Sequence, residues 1–429
     1  MGKSKIAGGA GNRVSDSIEA YFYSDGERIP PDTLVGIENK STSSLRSTGV
    51  LIDNTSTYKG GYTYVKTEDI DEKHLFCAFI KGIDDSDYAT GRATAVVLDI
   101  SGNMPKVISV SDLTAASDMG LCRLSINRFA VIAGYTGGIA NGCNIYILDI
   151  ASGYQIRQMS VTQVSAYHRP FIFAYKQDTL FFSCRPNSYG AATYVYAVDD
   201  AGNLTLKSTY DGSFYSFADV GNGTLLGAPE NSPPAVSVLH VKDYTISLGK
   251  TLNLCSYPHG GYGFTTLHPV LQGSVNKFYM AISGSGKGRY FLSYADNELT
   301  VLNHVDAHSY SDSYSTDVLE LIDLLPKLGL ITYNGRLALL DYTALAGLSY
   351  TDTQVFDVGG AGLSKKCTDM RLLKDNTALI LFNDSKRRLC YSLVELDITS
   401  IVKKGYCTVD GVTKQTCNST RRGKVKIFT

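Results

Sequence analysis

The sequence predicts an all-β fold in which one unit of four antiparallel strands is repeated seven times, and three observations support this. An apolar strand recurs seven times, and successive copies start 45 to 53 residues apart. Between the copies, runs rich in Val, Ile, Tyr and Phe alternate with Gly, Asn and Asp at turn positions. Helical periodicity is nearly absent from the 429 residues. A period of this length is typical of one propeller blade, so we expect a seven-bladed β-propeller.

The recurring apolar strand is predicted to be the second strand of each blade. A moderately apolar strand and a tight polar turn precede it, and a variable loop, a third strand and an outer strand follow it. Its copies are residues 75–80, 128–134, 179–184, 224–228, 277–283, 328–333 and 377–382.

Two stretches are interpreted from their position in the repeat. Residues 317–325 could pass for a helix in isolation, but the repeat assigns them to the inner strand of the sixth blade. The seventh unit lacks an outer strand after Ile398, and residues 47–53 come just before the first unit. We therefore expect this N-terminal strand to close the ring and remove an exposed sheet edge.

These assignments divide the chain into three parts. Residues 1–46 are predicted to be an N-terminal arm, of which the first 20 are small and polar and form a flexible or partner-ordered end. Residues 47–401 form the propeller. Residues 402–429 depart from the blade pattern and are predicted to form a small β-hairpin appendage around Asp410-Gly411.

Composition limits the classes of function. Hydrophobic residues make up 44% and charged residues 19%, which is a globular composition, and a net charge of −1 argues against broad binding to nucleic acid or anionic membrane. The beginning of the sequence lacks the apolar run of a signal peptide, and no apolar stretch reaches the length of a membrane span. The nine cysteines are scattered and never spaced as CxxC, which indicates buried free thiols in a reducing compartment.

The long loops are predicted to lie on one face of the propeller. In a four-stranded blade the second-to-third loops and the connections between blades share a face, and here these segments are long and rich in Tyr, His, Ser and Gly. Variable loops on a rigid scaffold commonly bind partners, and this composition suits recognition surfaces. The candidate ligand-binding residues are Tyr189, Tyr257, His259, Tyr262, Tyr310 and Tyr314. Covering the ring or contacting neighbouring subunits is the alternative role for these loops.

Catalytic and metal-binding patterns are weak. The pattern His304-x-Asp306-x-His308 could bring three ligands to one side of a strand, but no fourth ligand is evident. The cluster Asp84, Asp85 and Asp87 is more typical of a solvated turn than of a glycosidase pair, and an Asp-box or Trp-Asp repeat is excluded because tryptophan is absent. We therefore predict no enzyme activity, no cofactor and no metal.

The two ends of the sequence carry a family resemblance. Residues 28–37 (RIPPDTLVGI) resemble the segment that leads into repeat arrays in tail-associated proteins of phages and prophages of Gram-positive bacteria. Residues 410–417 (DGVTKQTC) and 423–427 (GKVKI) are similar to the short C-terminal module of those proteins. The resemblance implies a virion component near the tail tip, made in the host cytoplasm and present in several copies, and it supplies no catalytic residues.

Three hypotheses on function follow. The first is a tail-tip or tail-fibre component that recognises a host-surface glycan or protein through the loop face and contacts other virion proteins, without binding nucleic acid or inserting into a membrane. The second is a purely architectural virion protein, such as a head decoration or spacer. The third is a propeller hydrolase acting on polysaccharide, which would need two carboxylates about 5–10 Å apart in a cleft.

Overall fold

The computed structural model describes most of the chain. The described residues are 17–24, 26–53, 65–82, 91–134, 142–166, 168–186, 190–230, 235–254, 265–270, 276–282, 288–306, 321–325, 328–333, 336–341, 349–354, 363–373, 376–384, 387–404, 411–418 and 420–428.

The described residues form β-strands and one 3-10 turn at Ser152–Tyr154. The strands are β1 (Ser17–Ser24), β2 (Leu34–Ile52), β3 (Val65–Asp69), β4 (His74–Gly82), β5 (Gly91–Asp99), β6 (Lys106–Ala116), β7 (Asp118–Arg123), β8 (Arg128–Gly134), β9 (Cys143–Ile150), β10 (Ile156–Val164), β11 (His168–Ala174), β12 (Thr179–Arg185), β13 (Ala192–Val198), β14 (Leu204–Asp211), β15 (Phe214–Gly221), β16 (Thr224–Pro229), β17 (Ala235–Lys242), β18 (Thr245–Asn253), β19 (Thr265–Pro269), β20 (Asn276–Ile282), β21 (Gly288–Ala295), β22 (Glu298–Asp306), β23 (Leu321–Leu325), β24 (Leu328–Tyr333), β25 (Arg336–Asp341), β26 (Ser349–Gln354), β27 (Leu363–Leu372), β28 (Thr377–Asp384), β29 (Leu389–Lys404), β30 (Gly411–Thr413) and β31 (Gly423–Phe428).

Six sheets each contain four antiparallel strands that follow one another along the chain. They comprise β3 to β6, β7 to β10, β11 to β14, β15 to β18, β19 to β22, and β23 to β26. The described residues of every copy of the recurring apolar strand lie in the second strand of its sheet, as the repeat predicts. The described part of the stretch 317–325 is strand β23, so its position in the repeat was the better guide than its helix-like composition.

The seventh sheet takes its outer strand from the other end of the chain. Strands β27, β28 and β29 follow the pattern, and β2 lies next to β29. The Thr48 hydroxyl donates to the Tyr391 carbonyl oxygen at 3.0 Å. A Cβ on Gly49 would stand 2.7 Å from Cε1 of Tyr391, so glycine lets the two strands approach across this ring. The position predicted for a closing strand is therefore occupied by β2.

The apolar cores lie between successive sheets, which are the blades of the fold. Phe76 of the first blade stacks on Phe129 of the second, with ring centroids 4.4 Å apart. Further buried clusters join the second blade to the third, the third to the fourth, the fourth to the fifth, and the seventh to the first. Each sheet is too small to bury its faces alone, and stacking supplies the missing core.

The inner strands contact one another around the array. Contacts join β3 to β7, β7 to β11, β11 to β15, β15 to β19, β23 to β27, and β27 back to β3. The fold is a seven-bladed β-propeller, which agrees with the sequence prediction.

The two faces of the blades differ in the length of their loops. The first-to-second and third-to-fourth connections have at most seven residues, whereas the second-to-third and inter-blade connections range from one residue, Ser117, to the fourteen of 307–320. Two of the third-to-fourth connections, Asp243-Tyr244 and Asp296-Asn297, are two-residue turns with all four φ angles between 46° and 64°. Such positive φ angles match the right-handed twist of a hairpin. The second-to-third and inter-blade segments end on the opposite face, which we call the loop face.

The chain divides into two compact units. Residues Ser43–Val270 and Phe278–Asp397 form the propeller, and Met1–Thr42, Leu271–Lys277 and Ile398–Thr429 form a terminal unit. In the terminal unit β31 lies between β1 and β30, β30 pairs with β2, and β1 also pairs with β29 in parallel. Its buried core comprises Phe22, Ile29, Val35, Cys417 and Val425.

The terminal segments differ from the two separate appendages that the sequence suggests. Strand β1 starts at Ser17, inside the stretch expected to be a flexible arm, and it pairs with β31 from Ser17↔Phe428 to Phe22↔Gly423. The hydroxyl of Thr413 accepts the Thr33 N–H at 3.0 Å and donates to the Pro30 carbonyl. Neither the N-terminal nor the C-terminal segment forms a sheet by itself. The backbone N–H and C=O groups of each segment therefore form hydrogen bonds with the other.

Two further features of the described residues bear on the chemistry of the chain. The cysteines 77, 122, 143, 184, 390 and 417 are free and buried. Burial raises the pKa of Cys122 and Cys143, which keeps these thiols protonated and unreactive. Nowhere in the described part is there a helix with the length and apolarity needed to cross a bilayer.

Candidate functional site

The six residues predicted to bind a ligand lie outside the described residues. Tyr189 falls in 187–189, Tyr257, His259 and Tyr262 fall in 255–264, and Tyr310 and Tyr314 fall in 307–320. The strands that flank these segments end on the loop face. Their role in binding stays a prediction.

The possible metal and carboxylate sites are described in part. His304 lies in β22, where its ring stacks on Tyr290 with centroids 6.0 Å apart and planes 10° apart. His308 and the cluster Asp84, Asp85 and Asp87 lie outside the described residues. Within the part of the chain that is described, no three His, Cys, Asp or Glu side chains gather as a metal ion would require.

An open groove lies on the loop face where the third and fourth blades meet. Its volume is about 260 Å³. The end of β14 and its two-residue connector to β15 form one side. The ends of β16, β17 and β18 that reach the loop face form the other. It lies on the face where binding is predicted, and all of its lining residues belong to the third and fourth blades and the connector between them.

An ion pair between partly exposed Arg185 and buried Glu230 braces the connector at this groove. The Nε atom of Arg185, in the third blade, lies 2.9 Å from Oε1 of Glu230, in the fourth. The Ser213 hydroxyl donates to Oε2 of Glu230 at 2.9 Å, and the Glu230 N–H donates to the Ser213 carbonyl at 2.8 Å. Only 4% of the Glu230 side chain is exposed. Buried charges are costly unless they are paired and hydrogen-bonded, and here both carboxylate oxygens have partners.

A second set of hydrogen bonds fixes the same connector from the third blade. The Phe214 N–H donates to the Ser183 hydroxyl at 2.6 Å. The Thr193 hydroxyl lies 2.7 Å from the Gly212 carbonyl and 3.1 Å from the Ser183 hydroxyl. Ser183 and Thr193 are both buried. The connector is therefore held at each of its residues before any ligand arrives, which is the preorganisation that a binding site needs.

The lining of the groove combines an apolar floor with a polar rim. The rings of Tyr210 and Phe214 stack with centroids 5.8 Å apart, and burial raises the pKa of Tyr210, so its hydroxyl stays protonated. Exposed Asp211 and Asn253 stand at the rim. An aromatic surface flanked by a few fixed polar groups is the usual make-up of a small-molecule site.

A second polar cluster lies on the inner strands where the seventh blade meets the first. The pKa of Glu68 is raised to about 7, mainly because the carboxyl group is buried; Asp369 and Asp69 also raise this pKa, while Arg371 and Arg123 lower it. Asp369 is buried, and its carboxylate accepts the Thr67 N–H at 2.5 Å and the Thr67 hydroxyl at 2.8 Å. These bonds hold two blades together, so we interpret Asp369 as a structural residue.

Sequence reasoning identifies the loop face but not the groove. The stretch Tyr210-Asp211-Gly212-Ser213 is short and carries one aromatic and one acidic residue, so it reads as an ordinary connection between strands. The feature of the sequence that could have pointed to the groove is the shortness of this connection. Only Gly212 and Ser213 separate the outer strand of one blade from the inner strand of the next, and a connector this short holds its neighbours in place.

Comparisons with known proteins show the fold. No protein-family model matches the chain, and no curated protein matches it. A "putative 6-phosphogluconolactonase" from Bacteroides uniformis ATCC 8492 has a similar structure, with a TM-score of 0.50 and 10% identity over 77% of this chain and 100% of that one.

Two further solved structures are similar. The N-terminal domain of Nup159 has a TM-score of 0.48 and 9% identity over 87% of this chain and 99% of that one. Sqt1 from Chaetomium thermophilum has a TM-score of 0.45 and 12% identity over 87% of this chain and 96% of that one. Likeness at such low identity concerns the fold alone, because unrelated functions share folds of this kind.

Proposed function

We propose that this protein is a structural component of a phage or prophage tail that binds a glycan or protein of the host surface through the loop face. The observation that carries the proposal is the groove on that face, whose connector is fixed by the ion pair of Arg185 and Glu230. A bound partner gains affinity when the site pays no ordering cost on binding.

The resemblance of the two ends supports the virion part of the proposal. Residues 28–37 and 410–427 carry that resemblance, and their described parts meet in one unit through the bridge Ile29↔Cys417 and the pairing of β2 with β30. We assign attachment to other virion proteins to the terminal unit and host recognition to the loop face.

A cosedimentation experiment tests the host-binding part. The purified full chain is mixed with cell walls of a Gram-positive bacterium, either intact or stripped of their wall polysaccharide. We expect the protein to sediment with intact walls, and replacing 256–262 and 309–314 with Gly-Ser linkers should reduce binding. A variant with Asp296-Asn297 replaced by Asn-Gly, a turn of the same type on the opposite face, is the matched control. Absence of wall binding by the intact protein would overturn this part.

The architectural role is tested by determining where the protein lies in the phage particle. Gold-labelled antibody against the chain, applied to particles released from the strain that carries the gene, should mark the tail tip under electron microscopy. Label on the head or along the tail tube would favour a decoration or spacer instead. The hydrolase hypothesis is tested by release of reducing sugar from the same cell walls, and we expect none.

A further inference from the structure

We infer that the groove between the third and fourth blades is a saccharide-binding site that takes one uncharged or amino-substituted sugar ring and rejects acidic sugars. The inference rests on the proposed function, because it names the ligand class for the loop face. It also assigns the contact to residues of β14, β15 and β18 that sequence reasoning does not single out.

The floor of the groove suits the apolar side of a sugar ring. A pyranose presents C–H groups on its faces and hydroxyls around its edge, and aromatic side chains pack against such faces. Tyr210 and Phe214 stack on each other at one side of the groove, and Leu248, which is 53% exposed, lies at the other. The exposed Leu248 and the half-buried Tyr210 both line the groove and give it apolar surface that a ligand could cover, whereas Phe214 is buried.

The rim supplies hydrogen-bonding groups of both kinds. The Asp211 carboxylate only accepts, whereas the Asn253 amide both donates and accepts. Exposed Thr251 also lines the groove, and its hydroxyl, which lies 2.9 Å from that of buried Ser237, can donate or accept. Sugar hydroxyls also donate and accept, so neighbouring hydroxyls of one ring can satisfy mixed groups of this kind.

The charge of the groove decides between classes of sugar. Among the described residues that line it, Asp211 alone is charged. A carboxylate ligand, such as sialic acid or a uronic acid, would meet this negative charge without a cation to offset it. A neutral sugar meets no such repulsion, and an ammonium group would be attracted.

The geometry is fixed beforehand by backbone as well as side chains. A Cβ on Gly212 would stand 2.6 Å from Cε1 of Tyr210, so the glycine lets the tyrosine ring lie against the connector. A Cβ on Gly227 would stand 2.7 Å from Cδ1 of Phe214, so the second ring also rests on a glycine. Both aromatic rings are thereby held in place at the floor of the site.

Saturation-transfer NMR with the full chain tests the inference. The probes are N-acetylglucosamine, glucosamine, glucose, galactose and N-acetylneuraminic acid, each in a separate titration. We expect transfer to ring C–H protons of at least one neutral or amino sugar and none to N-acetylneuraminic acid. Asn253→Ala and Asp211→Asn should each weaken binding of that sugar by roughly tenfold, which is the loss of one or two hydrogen bonds.

The control is Asp243→Asn, which makes the same chemical change as Asp211→Asn but in a turn of the neighbouring fourth blade, on the face opposite the groove. It should bind the sugar as the unaltered protein does. Transfer to the acidic sugar alone, or equal binding by all variants, would overturn the inference.

The same variants separate this inference from the proposed function. If Asn253→Ala loses sugar binding but still sediments with cell walls, the groove binds sugar and host attachment uses other loops. If every probe fails while the intact protein sediments with walls, the saccharide site is wrong and the proposed function stands. If a sugar binds the groove but walls do not bind the protein, the saccharide site stands and host attachment is wrong.

Discussion

Two junctions hold neighbouring blades together with different interactions. One lies between the second and third blades, and the other lies between the seventh and first. The first is an apolar cluster built from residues such as Ile132, Ile172 and Phe182. The second has an apolar cluster too, but it adds the buried Asp369, whose carboxylate binds the backbone and hydroxyl of Thr67.

The difference reflects how each pair of blades is connected. Only residues 165–167 separate the last strand of the second blade from the first strand of the third, so this short connection nearly sets how the two blades align. Thr67 and Asp369 are 302 positions apart, and no short connector aligns them. Loop closure over such a distance costs entropy, and apolar packing is not directional. Directional bonds from one carboxylate to a backbone N–H and a hydroxyl can define the register that a connector defines elsewhere.

The largest expected effect is at the apolar junction. Phe182 is fully buried between the second and third blades, so Phe182→Ala should lower the free energy of unfolding by about 3–5 kcal/mol. Urea unfolding followed by circular dichroism measures it. Exposed Leu206→Ala, on the outer strand of the third blade, is the control and should change stability by less than about 0.5 kcal/mol. Equal losses would mean that the junction contributes no core.

A smaller loss is expected at the polar junction. Asp369→Ala removes the acceptor for the Thr67 N–H and hydroxyl and leaves a partner of Arg371 missing, which should cost about 2–3 kcal/mol. Asp369→Asn keeps one oxygen and should cost less. If the polar bonds set the register at the closure, Asp369→Ala should also speed proteolysis near residues 65–69, whereas Phe182→Ala should not do so selectively. Uniform proteolysis of both variants would contradict this role.

The smallest effect is a pH dependence at the same junction. The pKa of Glu68 is raised from its ordinary 4.5 to about 7, mainly by burial, so the folded state holds its proton more tightly than the unfolded state does. Stability from this group is therefore complete below about pH 4.5 and is lost as the pH rises towards 7. The charged groups around it are Arg371, Asp369, Asp69 and Arg123.

The variant Glu68→Gln tests this dependence. Relative to the unaltered protein, it should gain on the order of 1–2 kcal/mol between pH 4 and pH 8, because the amide does not ionise. Asp219→Asn, an exposed carboxylate of the fourth blade, is the control. Parallel pH profiles for Glu68→Gln and the unaltered protein would show that Glu68 ionises normally in the folded state.

Much of the fold could be predicted because its signals are local. Each second strand is marked by an apolar run and each short turn by residues such as Asn222 or Asp296, so a repeat of known length follows from a scan of the chain. The stretch containing Leu321–Leu325 shows the strength of the repeat, since its position outweighed a helix-like composition. The terminal unit was harder to predict from the sequence, because β1 and β31 pair although nearly the whole length of the chain separates them.

The candidate site could be predicted only to the level of a face. The repeat predicts the order of the strands, and the order of the strands predicts which loops share that face. The ion pair of Arg185 and Glu230 cannot be predicted in this way, because nothing in the sequence around either residue distinguishes it from a charged residue exposed to solvent.

By itself, the sequence determined the number of blades, the strand at the centre of each, and the face that carries the long loops. Only the tertiary structure decided which polar groups meet, as Asp369 meets Thr67 and Arg185 meets Glu230. Periodicity and turn chemistry act over a few residues and repeat along the chain, so they are visible in one dimension. A buried pair of distant residues depends on how whole blades pack, and that packing is fixed by many weak contacts together.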